Sequence, residues 1–221
     1  LGGVGLFTKE LEVSLIKQKI DIAVHSAKDV PTELHDGLII GATPLREDPH
    51  DALISNNNSN LEKLPDNARI GTSSLRRRAQ LLTFRPDFKI LDLRGNLDTR
   101  LKKLETDDLD AIVVAHAGLR RLGYTGPVSQ IIPFDIMLPA VGQGSLCIEI
   151  RKDDDRIHKI VSCINDAQTK TAVEAERALL AKLQGGCQVP IGAYAQIHGS
   201  ELHLEAIICT MDGDHAIRDN Q

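Results

Sequence analysis

The sequence predicts an α/β protein of two lobes joined by two chain crossings, with a small third unit of mixed helix and strand. Three observations carry this expectation. Between residues 68 and 121 a short β-rich run, a Gly or polar turn and a helix follow one another three times, the pattern of parallel βαβ units. PLREDP (44–49) and LPAVGQG (138–144) flank that region as Pro- and Gly-rich connections, so the chain leaves one α/β unit and returns to it. Beyond residue 167 a long helix gives way to alternating strands.

Taken in order, KELEVSLIKQK (9–19) places Leu11, Leu15 and Ile16 on one helix face, and IDIAVH (20–25) reads as a short strand. Pro31 ends that unit, and LIIGAT (38–43) is the next strand. The three repeats are ARIG (68–71) before SLRRRAQLLTF, FKILDL (88–93) before NLDTRLKKLE, and DAIVVAH (110–116) before AGLRRLG. SLCIEI (145–150) is an apolar strand after the second crossing. Residues 167–184 form the clearest helix, with Ala172, Ala175, Leu179 and Leu183 spaced for one buried face and Gly185-Gly186 ending it. PIGAYAQI and ELHLEAIIC, separated by HGS, alternate like a hairpin. The expected domains are 1–45 with 145–163, then 49–138, then 167–221, with hinges at 45–49 and 139–144. Both chain ends read as truncated.

Positive charge is concentrated and placed. The chain carries 26 Lys and Arg against 31 Asp and Glu, yet residues 68–121 hold 12 against 7, leaving 14 against 24 elsewhere. Arg76 and Arg77 follow the first strand of the repeat, Arg94 the second, and Arg120 and Arg121 the third. Open α/β sheets bind ligands at the carboxyl ends of their strands, so these loops are expected to converge on a crevice between the lobes. Thr72, Ser73 and Ser74 sit at a helix N-terminus, which favours an anion, and Arg can hold a carboxylate or phosphate with two parallel hydrogen bonds. Arg78, Arg85, Lys102 and Lys103 read as solvated helix-face residues, and Arg100 is intermediate. HSAKDVP (25–31) brings His25, Lys28 and Asp29 to another strand end. Position alone leaves Asp29 open between a site carboxylate and an ordinary Asp before a proline turn.

The overall charge of −5 and the scarcity of aromatics (no Trp, 2 Tyr, 4 Phe) exclude a general nucleic-acid surface and call for an aliphatic core. No apolar run is long enough to span a membrane, so a soluble, cytoplasmic protein is expected. Cys147, Cys163, Cys187 and Cys209 form no C-x-x-C pair, which suggests neither a metal site nor a disulfide framework. Cys147 and Cys163 read as core. Cys187, in GGCQVP with little bulk around it, is the thiol best suited to covalent attachment of a large group.

These residues bring a family into view. GLFTKELE (5–12), DIAVHSAKDVP (21–31), REDPHDA (46–52), GTSSLRR (71–77), LRGNLDTRL (93–101), AGLRRLG (117–123), LPAVGQG (138–144) and ERALLAKLQGGCQVPIG (176–192) together resemble the porphobilinogen deaminase family of tetrapyrrole and haem biosynthesis. The resemblance runs through essentially the whole chain. It implies two periplasmic-binding-protein-like lobes, a third small domain, and a monomeric transferase (hydroxymethylbilane synthase). That enzyme joins four porphobilinogen molecules head to tail with release of ammonia and then frees hydroxymethylbilane by hydrolysis.

The resemblance further implies a dipyrromethane cofactor held by a thioether at Cys187, and a catalytic aspartate at Asp29. Lys28, Asp29, Thr72, Ser73, Ser74, Arg76, Arg77, Arg94 and Gly95 match cofactor-binding positions. Ser26, Arg94, Arg100 and Arg121 match substrate-binding positions. Where the family commonly has a lysine between the glycines of its GGxG motif, this chain has Val4. A non-catalytic two-lobed anion-binding module explains the arginines equally well, but not GGCQVP or HSAKDVP.

Overall fold

The computed structural model describes residues 4–183 and 189–221, and side-chain packing from Thr8 onward within the first helix. In chain order the elements are α1 (Val4–Ile16), β1 (Ala23–Ser26), β2 (Leu38–Ala42), β3 (Asp51–Ser55), β4 (Arg69–Gly71), α2 (Leu75–Phe84), β5 (Lys89–Leu91), α3 (Leu97–Thr106), β6 (Ala111–Ala115), α4 (His116–Arg121) and β7 (Gln130–Ile132). They continue with β8 (Leu146–Arg151), α5 (Asp155–Val161), α6 (Ala167–Lys182), β9 (Ile191–His198), β10 (Glu201–Cys209) and β11 (Ala216–Asn220). The described chain divides into two compact units. One runs to Glu47, resumes at Val141 through α6 and takes in Tyr194–Leu204; the other comprises Asp48–Ala140, the stretch ending at Ala193, and Glu205–Gln221.

The first unit is built on a three-stranded sheet in the order β1-β8-β2, with β8 antiparallel to both neighbours. Alternation along β8 sorts its residues. Ile148 and Ile150 pack with Ile157 and Val161 of α5, whereas Cys147 packs with Ala27, Val30 and Val173 of α6. Helix α6 begins where Asp166 accepts the Thr169 N–H at 2.7 Å, satisfying one of the amides a helix start leaves without a partner. Its buried stripe is Thr169, Ala172, Val173 and Glu176, so the apolar face expected to include Leu183 is corrected: Leu183 is 38% exposed and the buried stripe ends on a carboxylate.

The second unit holds a five-stranded sheet in the order β5-β4-β6-β3-β7. As the repeats predict, β4 is parallel to both β5 and β6. Strand β3 was not expected. It runs antiparallel to β6 and β7, and all five of its residues are buried. The sheet is covered on both faces: Leu53, Ala111 and Val113 pack with Leu81 of α2, while Ala52, Ile54, Ile112 and Val114 pack with Leu104 of α3 and Leu119 of α4. Both-sided burial explains why β6 reads as one apolar run. Leu53 has no exposed surface, so Leu53→Ala removes about 2–5 kcal/mol.

Other expectations shift. The first helix ends at Ile16, ahead of Gln18 with its left-handed φ of 54°, and β1 pairs only from Ala23. Helix α5 and strands β7 and β11 were also unforeseen. The polar β11 joins β10 and β9 in a three-stranded sheet, antiparallel to β10. Cys163 is not core: it lies exposed in the turn Ser162–Ile164, its thiol donating to the Ile160 carbonyl.

Candidate active site

Because β4, β5 and β6 run parallel, their carboxyl ends share one edge of the second unit's sheet. After β4, Thr72 donates its N–H to the Leu91 carbonyl at 2.9 Å, which ties the loop to the end of β5. All three hydroxyl oxygens then shape the turn: Thr72 Oγ1 accepts from Ser74 N, Ser73 Oγ from Leu93 N, and Ser74 Oγ caps α2 by accepting from Arg77 N. A hydroxyl that accepts from the backbone retains its own proton to donate, so these residues remain competent toward a carboxylate.

Arg76 and Arg77, in the first turn of α2, do not project as open charges. Each is 5% exposed, and both point to Asp51, which is 0% exposed at the start of β3. Arg76 Nη1 donates to Asp51 Oδ2 at 2.7 Å and to the Leu138 carbonyl at 2.8 Å. Arg77 donates through Nε and Nη2 to Asp51 Oδ1 at 3.0 and 2.7 Å, and through Nη1 to the Val113 carbonyl at 3.1 Å. Burial alone would push the Asp51 carboxyl up, but the two guanidinium groups reverse this and hold it well below the usual carboxylate range. Arg76 Nε is buried and has no hydrogen-bond partner among the described residues.

Past β5, Gly95 adopts φ of +121°, and a Cβ there would lie 2.7 Å from Thr99 Cγ2, so the turn requires glycine. Its carbonyl accepts from Arg100 Nε at 2.9 Å. Arg100 is half-buried, and its pKa falls through desolvation and the nearby positive charge of Arg77. Arg94 is exposed. Arg121 is exposed at the far end of α4, a helix away from the end of β6. Within this unit, then, two guanidinium groups share one buried carboxylate and a third, Arg100, stands near Arg77, a net positive charge with a donor left over on Arg76.

In the first unit, Ser26 closes β1 opposite Leu146, and the single 3-10 turn Ala27–Asp29 carries Lys28 and Asp29, both half-buried. Cys187 lies outside the described residues, as do Gly2, Gly3 and the side chain of Val4.

Two acids that the sequence reading passed over organise these groups. One is Asp51. The other is Glu176 of α6, 0% exposed, which accepts from Arg46 Nη1 and Nη2 at 2.6 and 3.2 Å, from Gly142 N at 2.7 Å and from Ala195 N at 2.8 Å. Arg46 Nε adds a bond to the Gln143 carbonyl at 2.9 Å. The signals were present: Asp51 and Arg46 stand inside REDPHDA, and Glu176 opens ERALLAKLQGGCQVPIG.

Residues 1–159 match the family described as porphobilinogen deaminase, dipyrromethane cofactor binding domain, and residues 170–221 match the porphobilinogen deaminase C-terminal domain. Porphobilinogen deaminase from Desulforamulus reducens is 54% identical over 99% of this chain and 71% of its own length. Those from Pelotomaculum thermopropionicum and Brevibacillus brevis are 51% and 52% identical over 99% and 96% of this chain and 70% and 69% of their own. Among solved structures, a putative methionine-binding lipoprotein from Bacillus subtilis is similar at a TM-score of 0.46 and 13% identity, over 74% of this chain and 77% of that one. Matched in both family domains and along nearly its whole length at about half identity, this chain belongs to the porphobilinogen deaminase family.

Proposed function

We propose that the protein is a hydroxymethylbilane synthase: a transferase that joins four porphobilinogen molecules head to tail, releases one ammonia at each addition, and frees the linear product by hydrolysis. The observation that carries this reading is the pair Arg76 and Arg77 on buried Asp51 with Arg100 near Arg77, inside the region matched to a dipyrromethane-binding domain. Porphobilinogen bears two carboxylates, so a growing chain gains negative charge at each step and calls for several spaced guanidinium groups.

The donor set fits a dipyrromethane group. Arg76 keeps a buried N–H without a partner among the described residues, and the hydroxyls of Thr72, Ser73 and Ser74 can each still donate. We assign Lys28, Thr72, Ser73, Ser74, Arg76, Arg77, Arg94 and Gly95 to holding it, and Cys187 to its thioether. When bound, dipyrromethane supplies the pyrrole terminus from which the product is built. Ser26, Arg94, Arg100 and Arg121 bind the carboxylates of incoming porphobilinogen and orient its reactive carbon. Asp29 accepts a hydrogen bond from the substrate pyrrole N–H and stabilises the positive charge that develops on that ring as the C–N bond breaks and ammonia leaves. Covalent tethering makes each addition a proximity-assisted step.

The organisation that goes with this reading is two lobes, 1–45 with 145–163 and 49–138, hinged at 45–49 and 139–144, and a cofactor-attachment domain at 167–221. A cytoplasmic monomer goes with the same reading, and the free thiols of Cys147, Cys163 and Cys209 suit a reducing compartment. No described helix is long and apolar enough to cross a membrane. Intact-mass measurement tests the assignment. The purified protein should exceed its polypeptide mass by two pyrrole units, and Cys187→Ser should lose the excess together with porphobilinogen consumption. A bare polypeptide that consumes no porphobilinogen would instead fit an anion-binding module.

A further inference from the structure

The segment bearing Lys28 and Asp29 leaves its sheet as soon as β1 ends. Ala27 still donates its N–H to the Ser145 carbonyl at 2.9 Å, and Val30 N–H closes the turn on the Ala27 carbonyl at 3.3 Å. Residues 30–32 then lie in no helix or strand, and Pro31 has no N–H with which to join one. The three successive carbonyls are thus open to donors from outside the segment, that of buried Val30 above all.

Arg177 of α6 supplies them. Its Nη1 donates to the Val30 carbonyl at 2.9 Å, and its Nη2 to the carbonyls of Pro31 and Thr32 at 2.5 and 3.4 Å. No carboxylate among the described residues pairs with this guanidinium. Desolvation lowers its pKa, with only the neighbouring Cys147 acting the other way. A cation half-removed from water without a counter-charge is costly, and its contacts here are those with the backbone directly after Asp29.

The preceding residue secures the other side. Glu176 accepts the Gly142 N–H at 2.7 Å, and Gly142, at φ of +71°, lies so close to the segment that a Cβ would sit 2.9 Å from Ala27 Cβ and 3.2 Å from Lys28 N. Consecutive residues of one helix thus hold the Asp29 segment at both ends. Arg is the side chain suited to the second task, because its planar fork spreads donors over separate nitrogens that reach adjacent carbonyls, whereas a lysine ammonium offers its three from a single point.

We infer that Arg177 is a positioning residue for Asp29, fixing the backbone of residues 30–32 so that the carboxylate meets the substrate pyrrole in its reactive geometry. This rests on Asp29 as the catalytic carboxylate. Angstrom-scale misplacement of a catalytic group costs up to about 100-fold in rate. In the full chain, Arg177→Gln should therefore lower kcat by about 10- to 100-fold with KM little changed and the cofactor mass retained.

Arg177→Lys keeps the charge and the aliphatic stem and so guards against a variant that does not fold. It should show the same kcat loss at a near-parental Tm. Because Arg177 acts through Asp29, the combination Asp29→Glu with Arg177→Lys should lose less than the product of the two single losses. Parental kcat in Arg177→Lys, or a lowered Tm with kcat per folded molecule unchanged, overturns the inference while Asp29→Ala is inactive. Normal turnover by Asp29→Ala overturns the Asp29 assignment and the inference with it.

Discussion

Asp51→Asn isolates what the buried carboxylate contributes. The substitution is nearly isosteric, but it leaves Arg76 and Arg77, each 5% exposed, as adjacent buried cations without their shared counter-charge. The amide oxygen can accept from one guanidinium, while the amide nitrogen turns its hydrogens toward donors on the other. Removing one partner of a buried ion pair costs about 3–5 kcal/mol. At roughly 2–4 °C per kcal/mol for a chain of this length, Tm should fall by about 6–20 °C. Circular dichroism melts at neutral pH read this directly. The pH dependence gives an independent check. Folding depresses the Asp51 carboxyl below its unfolded value of 3.8, so its contribution is fully present above that pH and is lost as pH falls below it toward the folded-state value. The gap between parent and variant should accordingly narrow in acid. A Tm unchanged at neutral pH would refute the claim that Asp51 is what keeps the two arginines buried.

Three further outcomes are expected. Glu176→Gln strips the counter-charge from Arg46, whose side chain is 9% exposed, and should destabilise the first unit by about 3–5 kcal/mol in urea titrations; a midpoint equal to the parent's would contradict this. Gly95→Ala places a Cβ against Thr99 in a left-handed turn, costing about 1–3 kcal/mol, and shifts the carbonyl that orients Arg100, so KM for porphobilinogen should rise. Under native alkylation, peptide mapping should find Cys163 modified well before Cys147, which is 1% exposed with its thiol pushed up to about 11 by burial; equal labelling would count against the placement of both.

What could be read in advance follows from where the physics is local. The three βαβ repeats were legible because a short β-rich run and a helix recur three times in close succession and the first two helices carry side-chain caps, at Ser74 and Asn96. Strand β3 was not, since no α-helix of its own follows it and it abuts the polar run NNNSN, so nothing local marks Asp51 as interior. Its burial is decided by arginines 25 and 26 positions away in the chain. The same holds for Glu176, whose partners Arg46, Gly142 and Ala195 come from three separate segments. In α6 the apolar spacing pointed to Leu179 and Leu183, but the buried stripe follows the partners Glu176 finds and turns Leu183 outward. Of the candidate site, the strand-end placement of Thr72, Ser73, Ser74 and Arg94 could be read from sequence, whereas the place of Arg121 at the far end of α4 and the commitment of both α2 arginines to an internal acid could not.

That commitment bears on how a site for many carboxylates can exist in a folded chain. Two guanidinium groups in one helical turn repel, by several kcal/mol at contact distance and intermediate dielectric. An exposed acid would relieve the repulsion but would compete with any ligand carboxylate for the same donors. Asp51 has no exposed surface, so it neutralises one charge from within and cannot be displaced by ligand. The remaining positive charge is held in a fixed orientation, the condition under which electrostatic recognition needs little reorganisation. Arg100 stands differently: half-buried, destabilised by desolvation and by Arg77, and bonded through Nε to a backbone carbonyl. On the proposed assignment of Arg100 to substrate, an arriving carboxylate would relieve that destabilisation, and Arg100 would gain on binding what Arg77 has already obtained from Asp51. Arg100→Leu should therefore raise KM at nearly unchanged Tm, whereas Asp51→Asn should lower Tm first; if the two variants lose stability and affinity in the same proportion, the distinction between an internally satisfied and a ligand-satisfied arginine fails.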